Sequence, residues 1–252
     1  MRVTSLGSGS KGNATLLEAG DTRILIDCGF SAAELTRRLA RRGLHPAQLS
    51  ALLITHEHGD HCRGAAVLSR RHGLTVWLTR GSHAAQPDPD FAAVRHISPH
   101  RPFTLGEVQV NPFPVPHDAR EPCQFTFEHA GRRLGLLTDL GSVTPHVLRQ
   151  LAGCHALLLE CNHDRDMLRS GPYPPALQRR VGGDYGHLAN DQSRALLQRL
   201  DQTALRWLVG MHLSEKNNQP ELALAALEAG LRSARCEVAL AGQDGGFDWR
   251  QV

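Results

Sequence analysis

A short apolar run that ends in a cluster of metal-binding side chains constrains this chain more than any other feature. Residues 51–61 read Ala-Leu-Leu-Ile-Thr-His-Glu-His-Gly-Asp-His, in which Leu52–Ile54 is typical of a buried strand. The imidazoles and the carboxylate that follow are ligands that zinc and similar divalent ions prefer: His56, His58, Asp60 and His61. These four are more than one ion usually takes from one loop, so the pattern predicts a two-metal site. The alternative is a solvated polar loop.

The composition is that of an ordinary globular protein. The chain has 252 residues, of which 41% are hydrophobic and 21% charged, and this length can bury a substantial core without disulfides. A net charge of +3 permits an anionic substrate but does not demand one, because dedicated nucleic-acid binders are usually more basic. No run approaches ~18 apolar residues, so we expect no transmembrane helix and no membrane partner.

The six cysteines are scattered and form no Cys-x-x-Cys pair. This spacing is typical of neither a disulfide framework nor a zinc finger. The first residues also lack the apolar segment of a signal peptide. We therefore expect a reduced, cytoplasmic protein.

Strand-like and helix-like segments alternate along the chain. Strands are predicted at Thr15–Ala19, Arg23–Asp27, Leu52–Thr55, Val76–Thr79, Val108–Phe113, Phe125–His129, Arg133–Thr138, Ala156–Glu160, Leu205–Val209 and Glu237–Ala241. Helices are predicted at Ser31–Gly43, Arg63–Gly73, Pro145–Ala152, Gln192–Leu200 and Pro220–Leu231. The proline-rich segments Pro87–Pro102 and Gly171–Gly186 are predicted to be loops. No linker interrupts the pattern, which predicts one α/β domain over residues 1–252, with mixed sheets between helices.

Four further side chains of metal-binding type stand where predicted strands end or a helix begins. They are His117, Asp139, His187 and His212. Each alone is more often a hydrogen-bonded polar residue than a ligand, but their recurrence at such places makes them candidates. The other nine histidines are predicted to lie at the surface. The residues alone neither divide the ligands between two metals nor assign a role to His187.

The ligand series resembles that of the metallo-β-lactamase-fold hydrolases. The run from His56 to His61, followed by His117, Asp139 and His212, carries this resemblance. The opening segments Ser8–Asn13 and Ile24–Gly29 agree with it. Within the superfamily the chain looks most similar to the YycJ/WalJ-like branch, described as 5′→3′ DNA exonucleases. That similarity rests on Gly171–Pro174, Gly186–Asn190 and Met211–Glu215.

The resemblance implies a four-layer αββα sandwich with two divalent ions at one edge. By analogy, one ion is held by His56, His58 and His117. The other is held by Asp60, His61 and His212, and Asp139 bridges both. Because every ligand offers nitrogen or oxygen, zinc fits best, and manganese or iron are alternatives.

A second resemblance concerns proton transfer. In related tRNA 3′-processing enzymes a His and a Glu form a proton-donating pair, and His187 and Glu160 occupy comparable places. The Ser-Thr pair that follows the histidine there is Leu-Ala here. With Asp60, these two are the expected catalytic residues. Asp27 either orients a ligand histidine or caps a turn.

The spacing of the ligands predicts a compact enzyme. His117 and Asp139 are 22 positions apart, too few for the tRNA-gripping arm. Asp139 and His212 are 73 apart, too few for a β-CASP insertion. The implied function is a metal-dependent phosphodiesterase, and by the branch resemblance a 5′→3′ DNA exonuclease that uses a metal-activated hydroxide.

Four basic residues are candidate phosphate contacts: Lys11, Arg179, Arg180 and Lys216. For each of them the alternative interpretation is an ordinary solvated surface charge. Two other functions stay open. One is hydrolysis of a small thioester, lactone or cyclic phosphodiester, for which the same metal centre would serve. The other is a structural or regulatory metal protein, although structural sites are usually closed and rich in cysteine.

Overall fold

Two mixed seven-stranded sheets form the centre of the molecule, and the computed structural model describes all 252 residues. The strands are β1 (Arg2–Gly7), β2 (Ala14–Ala19), β3 (Thr22–Ile26), β4 (Ala51–Leu53), β5 (Thr75–Thr79), β6 (Ala93–Ile97), β7 (Phe103–Leu105), β8 (Val108–Pro114), β9 (Cys123–His129), β10 (Arg132–Leu137), β11 (Ala156–Glu160), β12 (Trp207–Met211), β13 (Glu237–Leu240) and β14 (Phe247–Gln251). The first sheet has the order β14-β1-β2-β3-β4-β5-β6 and the second β13-β12-β11-β10-β9-β8-β7.

Nine helices connect and cover the strands. They are α1 (Ala32–Ala40), α2 (Gly59–Cys62), α3 (Ala65–His72), α4 (Arg80–Ala84), α5 (Pro145–Leu151), α6 (Arg165–Ser170), α7 (Pro175–Val181), α8 (Asn190–Arg199) and α9 (Pro220–Gly230). A single 3-10 turn lies at Pro46–Gln48. None of the helices is long and apolar enough to cross a bilayer.

Three apolar layers hold the sandwich together. Between the sheets, Ile24 and Leu53 of the first pack with Phe125 and Leu158 of the second. The outer face of the first sheet is covered by α1 and α3, and that of the second by α5, α8 and α9. Because each sheet is buried on both faces, its parallel strands read as continuous apolar runs. This arrangement confirms the predicted four-layer αββα architecture.

The parallel half of each sheet determines where polar side chains can gather. Strands β3 to β6 are parallel to one another, as are β10 to β13. Neighbouring parallel strands end at the same sheet edge, and in open α/β sheets ligands bind outside the carboxyl ends of such strands. The loops after β4, β10 and β12 therefore converge on one edge of the sandwich.

Both predicted loops contain regular structure that the sequence reading missed. The segment Gly171–Gly186 holds α7, because Pro175 stands at the first helical position, where its missing N–H costs no hydrogen bond. The segment Pro87–Pro102 holds β6, an edge strand whose side chains are mostly exposed and so lack an apolar period. Proline content alone was therefore a misleading signal in both places.

Candidate metal centre

Seven predicted ligands converge at the edge where the two sheets meet. The loop after β4 supplies His56, His58, Asp60 and His61. The second sheet supplies His117 after β8, Asp139 after β10 and His212 directly after β12. Four overlapping groups of these residues, with Glu160 and His187, bring their ligand atoms within 4.8 Å of one another.

Three histidines form the first group. His58 Nδ1 lies 3.0 Å from His56 Nε2 and 3.2 Å from His117 Nε2. Zn–N bonds of about 2.05 Å in a tetrahedral site would separate ligand nitrogens by roughly 3.3 Å. The three nitrogens therefore have the spacing of ligands that share one small ion.

The second group combines carboxylates with histidines. His212 Nε2 and His61 Nε2 lie 3.4 Å and 3.6 Å from Asp60 Oδ2. Asp139 lies between the groups: its Oδ2 is 3.0 Å from His61 Nε2 and its Oδ1 is 4.0 Å from His117 Nε2. Asp139 Oδ2 is buried and accepts no hydrogen bond with acceptable geometry. A buried, unpartnered carboxylate oxygen among histidine nitrogens fits a divalent metal ion.

The ring nitrogens that face away from the cluster are held by hydrogen bonds. His61 Nδ1–H donates to Asp27 Oδ2 over 2.7 Å, and His117 Nδ1–H donates to Gly186 O over 2.9 Å. His212 Nδ1–H donates to Thr138 O over 3.1 Å. Each bond fixes the tautomer whose Nε2 lone pair points to the cluster, which is the usual arrangement around metal-binding histidines.

His56 and His58 follow the same rule through different partners. Thr55 Oγ1–H donates to the Asp27 carboxylate over 3.0 Å and can then accept from His56 Nδ1–H, also over 3.0 Å. His58 is turned round: its Nε2–H donates to Asp118 O over 3.2 Å, which leaves Nδ1 facing the cluster. Asp27 thus orients His61 directly and His56 through Thr55. This favours the orienting role over the turn-capping one.

Two of these residues adopt backbone conformations that side chains seldom take. Asp27 has a φ of 62° and His212 a φ of 54°. The left-handed region costs a non-glycine residue free energy, and Asp and His tolerate it better than most. Both residues are almost fully buried and hydrogen-bonded on several sides, so the fold holds them in place at the site.

Burial and the nearby carboxylates shift the pKa values of two of these histidines in opposite directions. Burial lowers the pKa of His56 well below its ordinary value, so that ring is neutral, the form that binds metals. Burial acts the same way on His212, but Asp139 and Asp60 outweigh it and raise the pKa of His212. The carboxylates are thus close enough to share a cation with these rings.

His187 lies at the rim of the cluster and is held by Glu160. Its Nδ1–H donates to Glu160 Oε1 over 2.7 Å, while Glu160 Oε2 accepts the backbone N–H groups of Leu140 and Leu188 at 2.9 Å and 3.1 Å. Burial opposes protonation of the ring, but Glu160 and Asp139 outweigh it and raise the pKa of His187 to about 9. These carboxylates favour the protonated ring, which is the form that can donate a proton.

The cluster opens into a cavity of about 360 Å³. His58, Asp60 and His212 line it, together with His187, which is one-fifth exposed. His187 Nε2 donates to no protein group. A substrate in the cavity can therefore contact the metal-binding side chains and His187 at the same time.

Comparison with known proteins agrees with this geometry. Residues 22–213 match the family model described as a β-lactamase superfamily domain. The chain is 35% identical over 229 residues to exodeoxyribonuclease WalJ of Streptococcus pneumoniae, covering 88% of this chain and 85% of that protein. It is 32% identical over 231 residues to exodeoxyribonuclease YycJ of Bacillus anthracis, with coverages of 88% and 86%. The chain belongs to the metallo-β-lactamase superfamily, in the family of WalJ and YycJ. 

A solved structure shows the same fold. The metallo-β-lactamase-fold protein YhfI of Bacillus subtilis superposes with a TM-score of 0.78 at 15% identity, over 99% of each chain. At that identity the likeness establishes the fold alone. The metallo-β-lactamase architecture and the His/Asp clusters together indicate divalent metal ions at the sheet edge.

The four basic candidates lie in different places around the metallo-β-lactamase site. Arg180 lines the cavity and pairs with Asp118. Lys11 pairs with Glu215 over 2.6 Å, and Lys216 lies 5.8 Å from the ring centre of Tyr173. Neither lysine lines the cavity, and Arg179 lines a separate one. Only Arg180 is therefore brought to the metal-binding residues.

The sequence reading was wrong about one histidine and missed two supporting residues. His163, predicted to lie at the surface, is fully buried, because it follows β11 into the interior. Thr55 and Asp118, which hold His56 and His58, were not identified. Their contacts involve a hydroxyl and a backbone carbonyl, which carry no motif. Only adjacency to His56 and His117 could have indicated them.

Proposed function

We infer that this chain is a metal-dependent phosphodiesterase that acts on nucleic acid, and specifically a 5′→3′ DNA exonuclease. The observation that carries the proposal is the His187–Glu160 pair beside the metal-binding cluster, since ester hydrolysis at such a centre does not require a separate proton donor. The relatives named exodeoxyribonuclease, which match most of this chain, support DNA as the substrate.

The proposed ligand division follows the two groups. His56, His58 and His117 would hold one ion, and Asp60, His61 and His212 would hold the other, with Asp139 lying between the two groups. Two divalent ions there would lower the pKa of a water molecule and neutralise charge on phosphoryl oxygens. We propose zinc, because all donors are nitrogen or oxygen with close spacing; manganese and iron are the alternatives.

His187 is the proposed general acid. A 3′-oxygen leaves poorly as an alkoxide and needs a proton as the phosphorus–oxygen bond breaks. Glu160 holds Nδ1–H, which leaves Nε2–H of the cationic ring free to donate that proton in the cavity. Glu160 itself is held by two backbone N–H groups and so keeps the ring in one orientation.

Arg180 is the proposed phosphate contact nearest the reacting bond, because it alone of the four basic candidates lines the cavity. Arg180 forms an ion pair with the side chain of Asp118, and the backbone carbonyl of Asp118 accepts a hydrogen bond from His58. Asp118 therefore links the arginine to the loop that carries the metal ligands. Lys11 and Lys216 are proposed to contact phosphates further along the strand.

We also propose that residues 1–252 act as a single domain without a β-CASP insertion, in the cytoplasm. The pairing of β1 with β14 supports the first point, since the two ends of the chain share one sheet. Six free cysteines, five of them buried, support the second, because reduced thiols suit a reducing compartment.

The function is tested with metal-reconstituted protein on 5′- and 3′-labelled DNA, single-stranded and duplex, beside bis(4-nitrophenyl) phosphate. We expect mononucleotides released from the 5′ end in a metal-dependent reaction. Hydrolysis of the small ester without cleavage of any DNA would contradict the nuclease assignment and favour the small-molecule hydrolase. RNA of the same sequence, cleaved faster than DNA, would contradict the choice of substrate.

A further inference from the structure

A second polar cavity, which we call the arginine cavity, lies on the other side of α7 from the metal centre. It measures about 510 Å³ and is lined by Arg165, Arg169 and Arg179, with His163 and Gln178 among the remaining residues. No acidic side chain lines it. A cavity with three guanidinium groups and no carboxylate in its wall attracts anions.

The three arginines have unused hydrogen-bonding capacity. Arg165 Nε donates to both oxygens of Asp191, at 2.9 Å and 3.0 Å, and Arg169 Nη2 donates to Asp166 over 2.7 Å. Each keeps further N–H groups. Arg179 is exposed and makes neither an ion pair nor a side-chain hydrogen bond. The set therefore carries at least one uncompensated positive charge with several free donors.

His163 supplies a polar group that the protein itself leaves without a partner. The ring is fully buried, and its Nδ1–H donates to Asn162 Oδ1 over 3.3 Å, since the Asn162 amide donates to His212 O. His163 Nε2 is buried with no hydrogen-bond partner. A buried acceptor of this kind needs a donor from outside the protein, here a water molecule that bridges to the ligand.

The arginine cavity and the metal centre adjoin the same two elements. Arg179 and Arg180 are consecutive residues on α7, and the first faces the arginine cavity while the second lines the metal cavity. His163 pairs through its backbone with Ala189, two residues beyond His187. A polymeric anion could therefore occupy both cavities together, whereas a small ester could reach only one.

We propose that the arginine cavity binds a phosphate of the nucleic-acid strand other than the one being cleaved. This inference rests on the proposed nuclease function and adds a subsite to it. A phosphate fits the chemistry because guanidinium groups bind phosphate oxygens with directed N–H donors. A strand fits better than a free anion, because consecutive arginines on one helix serve the two cavities.

The test compares Arg179→Gln with Arg199→Gln, a matched control. Arg199 is also exposed and without an ion pair, but it stands at the far end of α8. In the metal-loaded enzyme we expect Arg179→Gln to raise KM for an oligonucleotide about tenfold, with little change in kcat. Hydrolysis of bis(4-nitrophenyl) phosphate should stay within about twofold of wild type, because that ester reaches only the metal cavity.

Salt dependence gives an independent readout. Removing one phosphate contact from a single strand should make the negative slope of log(kcat/KM) against log[salt] shallower by about 0.7. The Arg199→Gln control should keep the wild-type slope and KM. Equal behaviour of the two variants towards the oligonucleotide would overturn the proposal while leaving the nuclease function intact.

Two further outcomes are decisive. If Arg179→Gln weakens the binding of inorganic phosphate to the protein, measured by calorimetry, but leaves KM for the oligonucleotide unchanged, the cavity binds a free anion and the strand assignment is overturned. If the wild-type enzyme hydrolyses the ester but cleaves no oligonucleotide, the proposed function fails, and this inference fails with it.

Discussion

At the scale of single residues, His187 differs from the metal-binding histidines in what holds its ring. Those rings are held by carbonyls, a hydroxyl or Asp27 and point a lone pair at the cluster, whereas His187 is held by Glu160, and the pair keeps it cationic. A cationic ring cannot bind a metal at the same time as it donates a proton.

His187→Ala should therefore keep its metal and lose turnover. General acid catalysis typically contributes about 10²–10⁴-fold, so kcat on DNA should fall by that amount. The loss on bis(4-nitrophenyl) phosphate should be smaller, because 4-nitrophenolate leaves without a proton. Metal content is measured by elemental analysis of the same sample. A variant that loses metal in parallel with activity would make His187 a ligand.

Asp27 acts on the metal only through other residues. Asp27→Asn keeps the left-handed backbone, since asparagine tolerates a φ of 62°, but weakens acceptance of the His61 N–H. Outer partners of this kind are worth about 10–100-fold in metal affinity. We expect that loss in a competition titration with a chromogenic chelator. Wild-type affinity with reduced turnover would instead assign Asp27 a part in the chemistry.

At the scale of elements, strands with an apolar run were predictable, whereas an exposed edge strand and a helix inside a proline-rich segment were not. Strands β4, β10 and β11 are buried on both faces, so a run of apolar residues marks them whatever the topology. The exposed edge strand β6 and the proline-initiated α7 lack such a run. Strand ends thus located the metal ligands, but no sequence pattern indicates that α7 separates two cavities.

The backbone at Gly29 packs closely against the backbone at Asp60, and this contact tests how the metal-binding loop is positioned. A Cβ at Gly29 would overlap the Asp60 carbonyl, whereas a Cβ at Gly59, in the same loop, meets nothing. Gly29→Ala should displace the loop that carries Asp60, costing roughly 1–3 kcal/mol of stability and most of the metal.

Gly59→Ala is the control, and its Gly stands in helical conformation at the start of α2. Its melting temperature and metal content should match wild type. Thermal unfolding and elemental analysis of both variants check the prediction. Gly29→Ala with full metal content would show that the loop adjusts without moving its ligands.

At the scale of the whole molecule, the metal centre joins the two halves of the sandwich. The first sheet contributes the His56–His61 loop, and the second contributes His117, Asp139 and His212. Three of the four groups of ligand atoms that could hold an ion include residues from both sheets. Divalent ions would therefore act as cross-links between the sheets, in addition to the hydrogen bonds that join them at this edge.

Removing the metal should consequently lower global stability as well as activity. An ion present at about 100 times its dissociation constant stabilises the folded state by about 2.7 kcal/mol, which for a chain of this size corresponds to roughly 5–10 °C in melting temperature. Wild type and Arg199→Gln should show that drop on addition of a chelator and recover when zinc is restored. Asp139→Ala, which removes the carboxylate between the two groups, should melt at the same temperature with and without chelator. A ligand that binds only the folded state must stabilise it. A wild-type melting temperature that stays unchanged after verified metal removal would therefore contradict a role of the ions in holding the sheets together.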